Sequence, residues 1–206
     1  MINTIHSDAN CHAISGNSLE EEGISVEIGG SLLDATGEPD WARLAILKPD
    51  RYYSTQNFAT PPRSVDGTII VENNGIYLYI IELKSSQPSG IKRKEIQEKF
   101  NTMFERFLTQ DFSHIFEEIE YQLNDLKLWL VCDPLKTRRK NQDNDELLRN
   151  LEKVSDRLRG MFADMAAAYK PFTFKGRKAS IQPLLSPPTI EAYGYTDMLE
   201  SVLQHT

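Results

Sequence analysis

Residues 64–84 read SVDGTIIVENNGIYLYIIELK and hold two strand-like runs separated by a turn. The runs, Thr68 to Val71 and Ile76 to Leu83, consist mainly of β-branched and aromatic residues, which are typical of strands. Asn74-Gly75 lies between them, and Asn-Gly supplies the positive φ angles that a tight hairpin turn needs. We therefore predict a β-hairpin whose second strand, apolar almost throughout, is buried on both faces of a sheet.

The sequence after this hairpin alternates between helical and strand-like patterns. After the breaker SSQPSG, residues 91–108 place apolar side chains on one stripe and charges opposite, which predicts an amphipathic helix. Residues 113–126 repeat this pattern and predict a second helix. The run LKLWLVC, residues 126–132, then indicates another buried strand.

The C-terminal third continues the alternation. Residues 143–169 predict the longest helix of the chain, and Pro171 ends it. A second hairpin is predicted to turn at Lys175-Gly176, and TDMLESVLQ, residues 196–204, predicts a short terminal helix. Strands lie between helices and at least one hairpin is present, so the predicted fold is α/β, with a mixed central sheet flanked by helices.

The first fifty residues show no sustained period. We predict a short helix over Ser18 to Glu22, irregular structure after it, and an irregular loop over residues 51–62, RYYSTQNFATPP. Three potential zinc ligands occur before these segments: His6, Cys11 and His12. No fourth ligand lies at finger-like spacing, so a disordered N-terminus is the favoured interpretation.

Length and composition are those of an ordinary globular domain. The 206 residues are 40% apolar and 26% charged, which is enough to build a core without disulfides. Cys11 and Cys132 lie far apart and form no disulfide framework, which favours a reducing compartment, the cytoplasm. Long apolar runs and the basic-then-apolar order of a signal peptide are both missing, so we expect no membrane association.

The net charge of −7 argues against a protein that coats nucleic acid non-specifically, because phosphate binding depends on lysine and arginine. Basic residues nevertheless cluster locally, and each cluster is explained equally well by a solvated surface. Any nucleic-acid contact is therefore expected to be local. The candidate contact residues are Lys92, Arg93, Lys94, Arg138 and Arg139.

Three polar residues stand at the ends of the predicted hairpin strands. Asp66 opens the first strand, and Glu82 and Lys84 close the second. Side chains alternate along a strand, so Glu82 and Lys84 share one face and Leu83 points to the other. Carboxylates suit hard ions such as Mg²⁺ or Mn²⁺, and a bound ion activates water and offsets charge on a cleaved phosphodiester. Lys84 would orient the water or neutralise the phosphate.

The same loose pattern occurs a second time. Asp111 followed by Asp125-Leu126-Lys127 has similar residue types and spacing. No hairpin joins its two parts, however, and Lys127 opens a predicted strand instead of closing one. The structural context therefore favours the set Asp66, Glu82 and Lys84 as the catalytic residues, with the two carboxylates as metal ligands.

The segment from Asp66 to Phe107 resembles the PD-(D/E)xK nuclease superfamily, whose fold many restriction endonucleases, resolvases and repair nucleases share. In that family an Asp at the start of the second core strand and an (Asp/Glu)-x-Lys near the end of the third hold the metal, and a helix follows. Asp66, then Glu82 and Lys84, and then the helix from about Ile91 occupy these places.

The resemblance implies additional site residues. A glutamate from the helix before the sheet often assists the reaction, and Glu20, Glu21 and Glu22 are equal candidates for that role. One subgroup carries Gln-x-x-x-Tyr on the following helix, whereas in this chain Asn101 follows Gln97 at that spacing.

The resemblance implies a restriction-endonuclease-like fold, with residues 1–206 as a single nuclease-like domain whose portion 1–50 shows no clear pattern. It also implies hydrolysis of phosphodiester bonds with Mg²⁺ or Mn²⁺, in DNA more than in RNA, because the family acts mostly on DNA. The alternative is a non-catalytic protein that keeps the fold and serves as a binding or structural subunit of a larger complex. A homodimer or a partner protein stays open.

Overall fold

A computed structural model describes residues 1–56, 58–85, 91–133 and 159–196, with the backbone alone for residues 195 and 196. The helices in these ranges are α1 (Ile2–Ser7), α2 (Ala9–Ile14), α3 (Pro49–Thr55), α4 (Arg93–Thr102), α5 (Ser113–Phe116) and α6 (residues 159–167). A 3₁₀ turn covers Gly30–Leu32, and a π-helix over Met103–Asp111 continues α4. In the described ranges no helix is long and apolar enough to cross a membrane.

The strands of the described ranges form two sheets and one separate hairpin. Their bounds are β1 (Leu19–Glu21), β2 (Ile24–Ile28), β3 (Leu44–Leu47), β4 (Gly67–Glu72), β5 (Ile76–Lys84), β6 (Leu123–Cys132), β7 (Phe172–Phe174), β8 (Arg177–Ala179), β9 (Ile181–Leu185), β10 (Thr189–Glu191) and β11 (Gly194–Thr196). The central sheet has the order β3-β4-β5-β6-β9, and the second sheet has the order β1-β2-β10-β11. In the central sheet the pairs β3–β4 and β4–β5 are antiparallel, whereas the pairs β5–β6 and β6–β9 are parallel, so the sheet is mixed as predicted.

The hairpin predicted over residues 64–84 is confirmed. Glu72 pairs with Ile76, and the turn between them has positive φ at Asn74 (48°) and Gly75 (124°), a conformation that glycine adopts without strain. β5 is hydrogen-bonded to β4 on one side and β6 on the other. The side chains of β5 from Leu78 to Leu83 are all buried, so the expectation of a strand buried on both faces is confirmed as well.

The two faces of the central sheet have different coverings. Leu78 and Ile80 of β5 point into a cluster that includes residues of all the described α-helices, such as Phe100 of α4. Tyr79 and Ile81 point the other way, into a cluster with the second sheet. Glu82 follows the alternation of Leu78 and Ile80, so the carboxylate belongs to the helical face.

Several N-terminal predictions are wrong. The segment Ser18 to Glu22 is no helix, because Leu19–Glu21 pairs with Ile24–Ile28 in a hairpin that turns at Glu22-Gly23, both with positive φ. The predicted loop at 51–62 begins as helix α3, which Pro49 starts at its first turn. The N-terminus is ordered in α1 and α2, since their apolar residues are buried in the helical cluster.

The predictions for the rest of the chain are partly wrong and partly confirmed. Residues 113–126 are helical only over Ser113–Phe116, because β6 begins at Leu123, where parallel pairing with β5 overrides the local helical pattern. The helix from residue 91 is confirmed as α4 and its π-helical continuation. The hairpin at Lys175-Gly176 is also confirmed. Of the helix predicted over residues 143–169, the part within the described ranges is helical over 159–167, as α6, and residues 143–158 lie outside those ranges. The terminal helix predicted over 196–204 also lies outside them, except for Thr196, which belongs to β11.

Candidate metal centre

The hairpin pairing brings Asp66 to the end of β5. Gly67 pairs with Ile81, so the residue before β4 lies beside the residues after Ile81. The Leu83 N–H donates a hydrogen bond to Asp66 Oδ2 at 2.6 Å. This bond fixes the Asp66 carboxylate against the strand that carries Glu82.

Glu82 is fully buried on the helical face of the sheet, with 0% of its surface exposed. Lys84 Nζ lies 2.6 Å from Glu82 Oε1, whereas Leu83 packs in the opposite cluster. The predicted alternation of these three side chains is therefore present. A buried carboxylate is stable only with strong partners, and Lys84 provides one of them.

Lys99 of α4 is the second partner, and sequence reasoning missed it. Its ammonium donates to Glu82 Oε1 at 2.7 Å and Oε2 at 2.9 Å, and it lies 3.7 Å from Asp66 Oδ1. The signal was its place on the helix, because Lys99 is three residues after Ile96 and directly before Phe100, both buried. A lysine beside a buried stripe lies over the sheet and not in solvent.

The electrostatics of the cluster reflect burial and crowding of charge. Burial, and secondarily the charge of Asp66, raise the pKa of Glu82 to about 7, against the opposing effects of Lys99 and Lys84. Burial lowers the pKa of Lys84, but the charge and hydrogen bond of Glu82 outweigh that effect and the net shift is upward. The lysine therefore stays charged at neutral pH.

Among the three candidate glutamates, the electrostatics single out Glu21. Although Glu21 is an exposed residue, partial desolvation and the charge of Asp66 raise its pKa, against the opposing effects of Lys84 and Lys99, which places it within range of these three residues. Glu22 forms a hydrogen bond with Ser85, and Glu20 is exposed.

The approach of Glu21 depends on a glycine beside Asp66. A Cβ atom at Gly67 would collide with the Leu19 side chain of β1, so the absence of a side chain lets β1 cross the start of β4. Glu21 is two residues after Leu19 and so points to the same side. A cavity of about 250 Å³ beside the cluster is lined by Glu21, Glu22, Leu83, Lys84 and Ser85.

Two further residues near the cluster were missed by sequence reasoning. Asp50, in the first turn of α3, has its pKa raised by desolvation and also by the charge of Asp66. Tyr169 is 6% exposed, and its hydroxyl has no hydrogen-bond partner among the described residues. Burial raises the Tyr169 pKa, and the charge of Glu82 adds to that effect. Neither residue carries a motif, so nothing in the sequence linked them to the cluster.

The donor set of the cluster fits a hard divalent ion with few protein ligands. Within residues 1–56, 58–85, 91–133 and 159–196, no group of three or more His, Cys, Asp or Glu side chains is arranged to hold a metal. Asp66 and Glu82 offer two carboxylates, and Mg²⁺ is commonly held by one or two carboxylates with water completing the shell. A zinc site does not fit, because it needs three or four protein ligands.

Two of the three N-terminal zinc candidates, His6 and Cys11, are in environments that disfavour zinc binding. His6 Nε2 lies 2.9 Å from the Trp41 carbonyl oxygen and 3.1 Å from that of Leu44, so this nitrogen donates to the main chain. Burial, together with the Asp8 charge, raises the pKa of the Cys11 thiol far above its usual range, which disfavours the thiolate that zinc requires.

The basic cluster at the start of α4 is largely paired with acids. Lys92 lies 3.2 Å from Glu95, and Lys94 lies 3.9 Å from Glu98. Exposed pairs of this kind are weak and break easily, so these lysines still reach a phosphate at little cost. For Arg93 the structure gives no ion pair within the described ranges. Arg138 and Arg139 lie outside those ranges.

The helix position that carries tyrosine in one nuclease subgroup has a different arrangement here. Gln97 Nε2 donates to Asn101 Oδ1 at 3.3 Å, and Gln97 Oε1 accepts the Lys170 N–H at 3.0 Å. Gln97 therefore anchors the segment after α6 to α4. Comparison of the chain with protein-family models, with curated proteins and with solved structures finds no match.

Proposed function

We propose that this protein is a metal-dependent nuclease with a restriction-endonuclease-like core, which hydrolyses phosphodiester bonds with Mg²⁺ or Mn²⁺, in DNA more than in RNA. The observation that carries the proposal is Glu82, a carboxylate with 0% exposure held beside Asp66 and Lys84 at the end of β5. A fully buried carboxylate is costly unless a cation offsets its charge, which makes Glu82 a candidate functional residue. The succession of β3, β4, β5 and α4 supports the same interpretation.

In this proposal Asp66 and Glu82 hold the ion, which supplies an activated water and neutralises charge on the phosphodiester. The Lys84 ammonium lies 2.6 Å from Glu82 Oε1 at the edge of the cavity, where it reaches the attacking water or a phosphate oxygen. Glu21 lines the same cavity and has a raised pKa, so it is suited to accept a proton during the reaction.

A non-catalytic subunit is the second candidate, and two observations favour it. The two lysines neutralise Asp66 and Glu82 without a metal, so the core is electrostatically complete as it stands. A structural protein would need nothing more. The net charge of −7 points the same way, because it weakens binding to nucleic acid.

A cleavage assay separates the two candidates. Linear DNA, branched DNA and single-stranded RNA are incubated at low salt with Mg²⁺ or Mn²⁺ and wild type, Lys84→Ala or Lys127→Ala. We expect wild type and Lys127→Ala to cleave equally, because Lys127 lies on another strand in an exposed pair with Asp125. Lys84→Ala should lose cleavage by about a hundredfold or more while still binding metal, since its interaction acts chiefly in the transition state.

Two results would contradict these expectations. Equal cleavage by wild type and Lys84→Ala would assign the activity to another site or to a contaminant. If wild type cleaves none of these substrates under either ion, the non-catalytic subunit becomes the better description.

A further inference from the structure

Lys99 holds the position that a cation takes between two carboxylates. Its Nζ is 2.7 and 2.9 Å from the two oxygens of Glu82 and 3.7 Å from Asp66 Oδ1. Lys84 contacts Glu82 Oε1 alone and borders the cavity. Of the two lysines, Lys99 is therefore the one that spans both proposed metal ligands.

The Lys99 ammonium and a metal ion would compete for the same carboxylate oxygens. When Asp66 and Glu82 are ionised, the ammonium groups of Lys84 and Lys99 balance their charges without an ion. A divalent ion at the same oxygens would lie against the Lys99 ammonium, in a site where Glu82 is fully buried. Like charges at short range in a poorly solvated site repel strongly.

We propose that Lys99 is a built-in competitor of the divalent ion: its ammonium holds Asp66 and Glu82 in the ion-free protein and must move away before a metal binds. This inference rests on the proposed function to the extent that it takes these two carboxylates as the metal ligands. The consequence is that the site is kept folded without metal and binds metal more weakly than two carboxylates would alone.

The surroundings of Lys99 confine the movement to its side chain. Ile96 and Phe100, on either side of it along α4, are 1% and 0% exposed, which anchors the helix in the core. Gln97 ties the same turn to the Lys170 N–H. Lys99 itself is 19% exposed, so its long flexible stem has a route to solvent while the backbone stays in place.

Ion binding tests the inference directly. Wild type, Lys99→Gln, Lys99→Arg and Lys94→Gln are titrated with Mn²⁺ by calorimetry at pH 8 after removal of bound metal. Glutamine keeps a hydrogen-bond donor for Glu82 but removes the charge, so we expect the Mn²⁺ Kd of Lys99→Gln to fall by about tenfold or more. Lys99→Arg keeps the charge and should bind as weakly as wild type. Lys94→Gln, on the same helix but 91% exposed, should match wild type.

Thermal unfolding gives a second readout that does not depend on activity. In the presence of EDTA, Lys99→Gln should melt below wild type because Glu82 has lost its stronger partner, and saturating Mn²⁺ should raise its Tm by more than it raises that of wild type. If Lys99→Gln does not fold without metal, Mn²⁺ is expected to restore the fold. Failure of Mn²⁺ to do so would count against the inference.

The outcomes distinguish this inference from the nuclease proposal. Equal or weaker Mn²⁺ binding by Lys99→Gln overturns the competition and leaves the nuclease proposal to the cleavage assay. Tighter binding by Lys99→Gln, with no cleavage of any substrate by wild type, supports the competition and overturns the nuclease. Lack of Mn²⁺ binding in every variant overturns both.

Discussion

The chain contains the same short pattern twice, and the two copies differ completely in their surroundings. Glu82 has 0% exposure and two lysine partners, one of which comes from a helix 17 residues away. Asp125, its counterpart, is 40% exposed and pairs with Lys127 of its own strand at 3.0 Å. Burial and partners from distant parts of the chain, and not the residue types of the motif, therefore mark the candidate site.

The leading aspartates differ in the same way. Asp66 accepts the Leu83 N–H, a bond that joins two parts of the hairpin. Asp111 accepts a hydrogen bond from the Tyr53 hydroxyl at 2.8 Å. It is the last residue of the π-helix and lies at the end remote from Lys99. It is not paired with Asp125, the second acidic residue of its motif. The second copy therefore never assembles into one group.

Replacement of Glu82 or of Asp125 by alanine should show the largest difference in stability between the two motifs. Glu82→Ala leaves Lys84 and Lys99 without their shared acceptor inside the core, so we expect it to lower the free energy of unfolding by about 3–5 kcal/mol. Asp125→Ala breaks a half-exposed ion pair and the hydrogen bond that Asp125 Oδ1 accepts from the Leu126 N–H, and should cost about 1–2 kcal/mol. Urea denaturation at pH 8 with EDTA measures both, and similar losses in the two variants would remove the distinction.

The pH dependence of stability should also differ between variants of the two motifs. The pKa of Glu82 is raised to about 7 in the folded protein from 4.5, so between these values the folded state retains a proton that the unfolded chain has lost. Stability from this group is complete below about pH 4.5 and is lost as the pH rises towards 7, in total on the order of 3 kcal/mol. Glu82→Gln lacks this proton and should lose that part of the slope.

The control for the pH experiment is Asp125→Asn, which should keep the slope of wild type. The pKa values of Glu21 and Asp50 are also raised, but both residues remain in every variant and contribute to all curves alike. Parallel curves for wild type and Glu82→Gln between pH 4.5 and 7 would contradict the assignment of the slope to Glu82.

The smallest effect is expected at the leading aspartate. Asp66→Ala leaves the Leu83 N–H without its acceptor and should cost about 1–2 kcal/mol, whereas Asp66→Asn keeps a carbonyl oxygen and should cost less. Amide hydrogen exchange at Leu83 is the specific readout, since it should quicken in Asp66→Ala relative to Asp66→Asn. Unchanged exchange in both variants would mean that the bond does not hold the strand ends together.

The central part of the fold could be predicted from the sequence because the signals for it are local. Asn74-Gly75 and the apolar run of β5 specify the hairpin without help from distant residues, and strand alternation alone places Glu82 and Lys84 on one face. The pattern that predicts the following helix, α4, is also local. These are the features for which short-range geometry and burial agree.

The parts that were missed depend on contacts between distant segments. β1 is only three residues long and is stabilised by pairing with β2 and by packing over Gly67, so its own pattern was too short to indicate a strand. Residues 117–122 kept a helical pattern although the chain must leave the helix to reach its pairing with β5. Lys99 approaches Glu82 only once α4 lies on the sheet, and no spacing rule encodes that contact.

The second sheet unites segments far apart along the chain. β2 pairs in parallel with β10, so this part of the second sheet forms only when Ile28 and Ile190 come together. Closing so long a loop is slow, whereas the β4–β5 hairpin closes locally. During synthesis, Asp66 and Glu82 are therefore expected to meet early, and Glu21 to be fixed beside them only after β10 has left the ribosome.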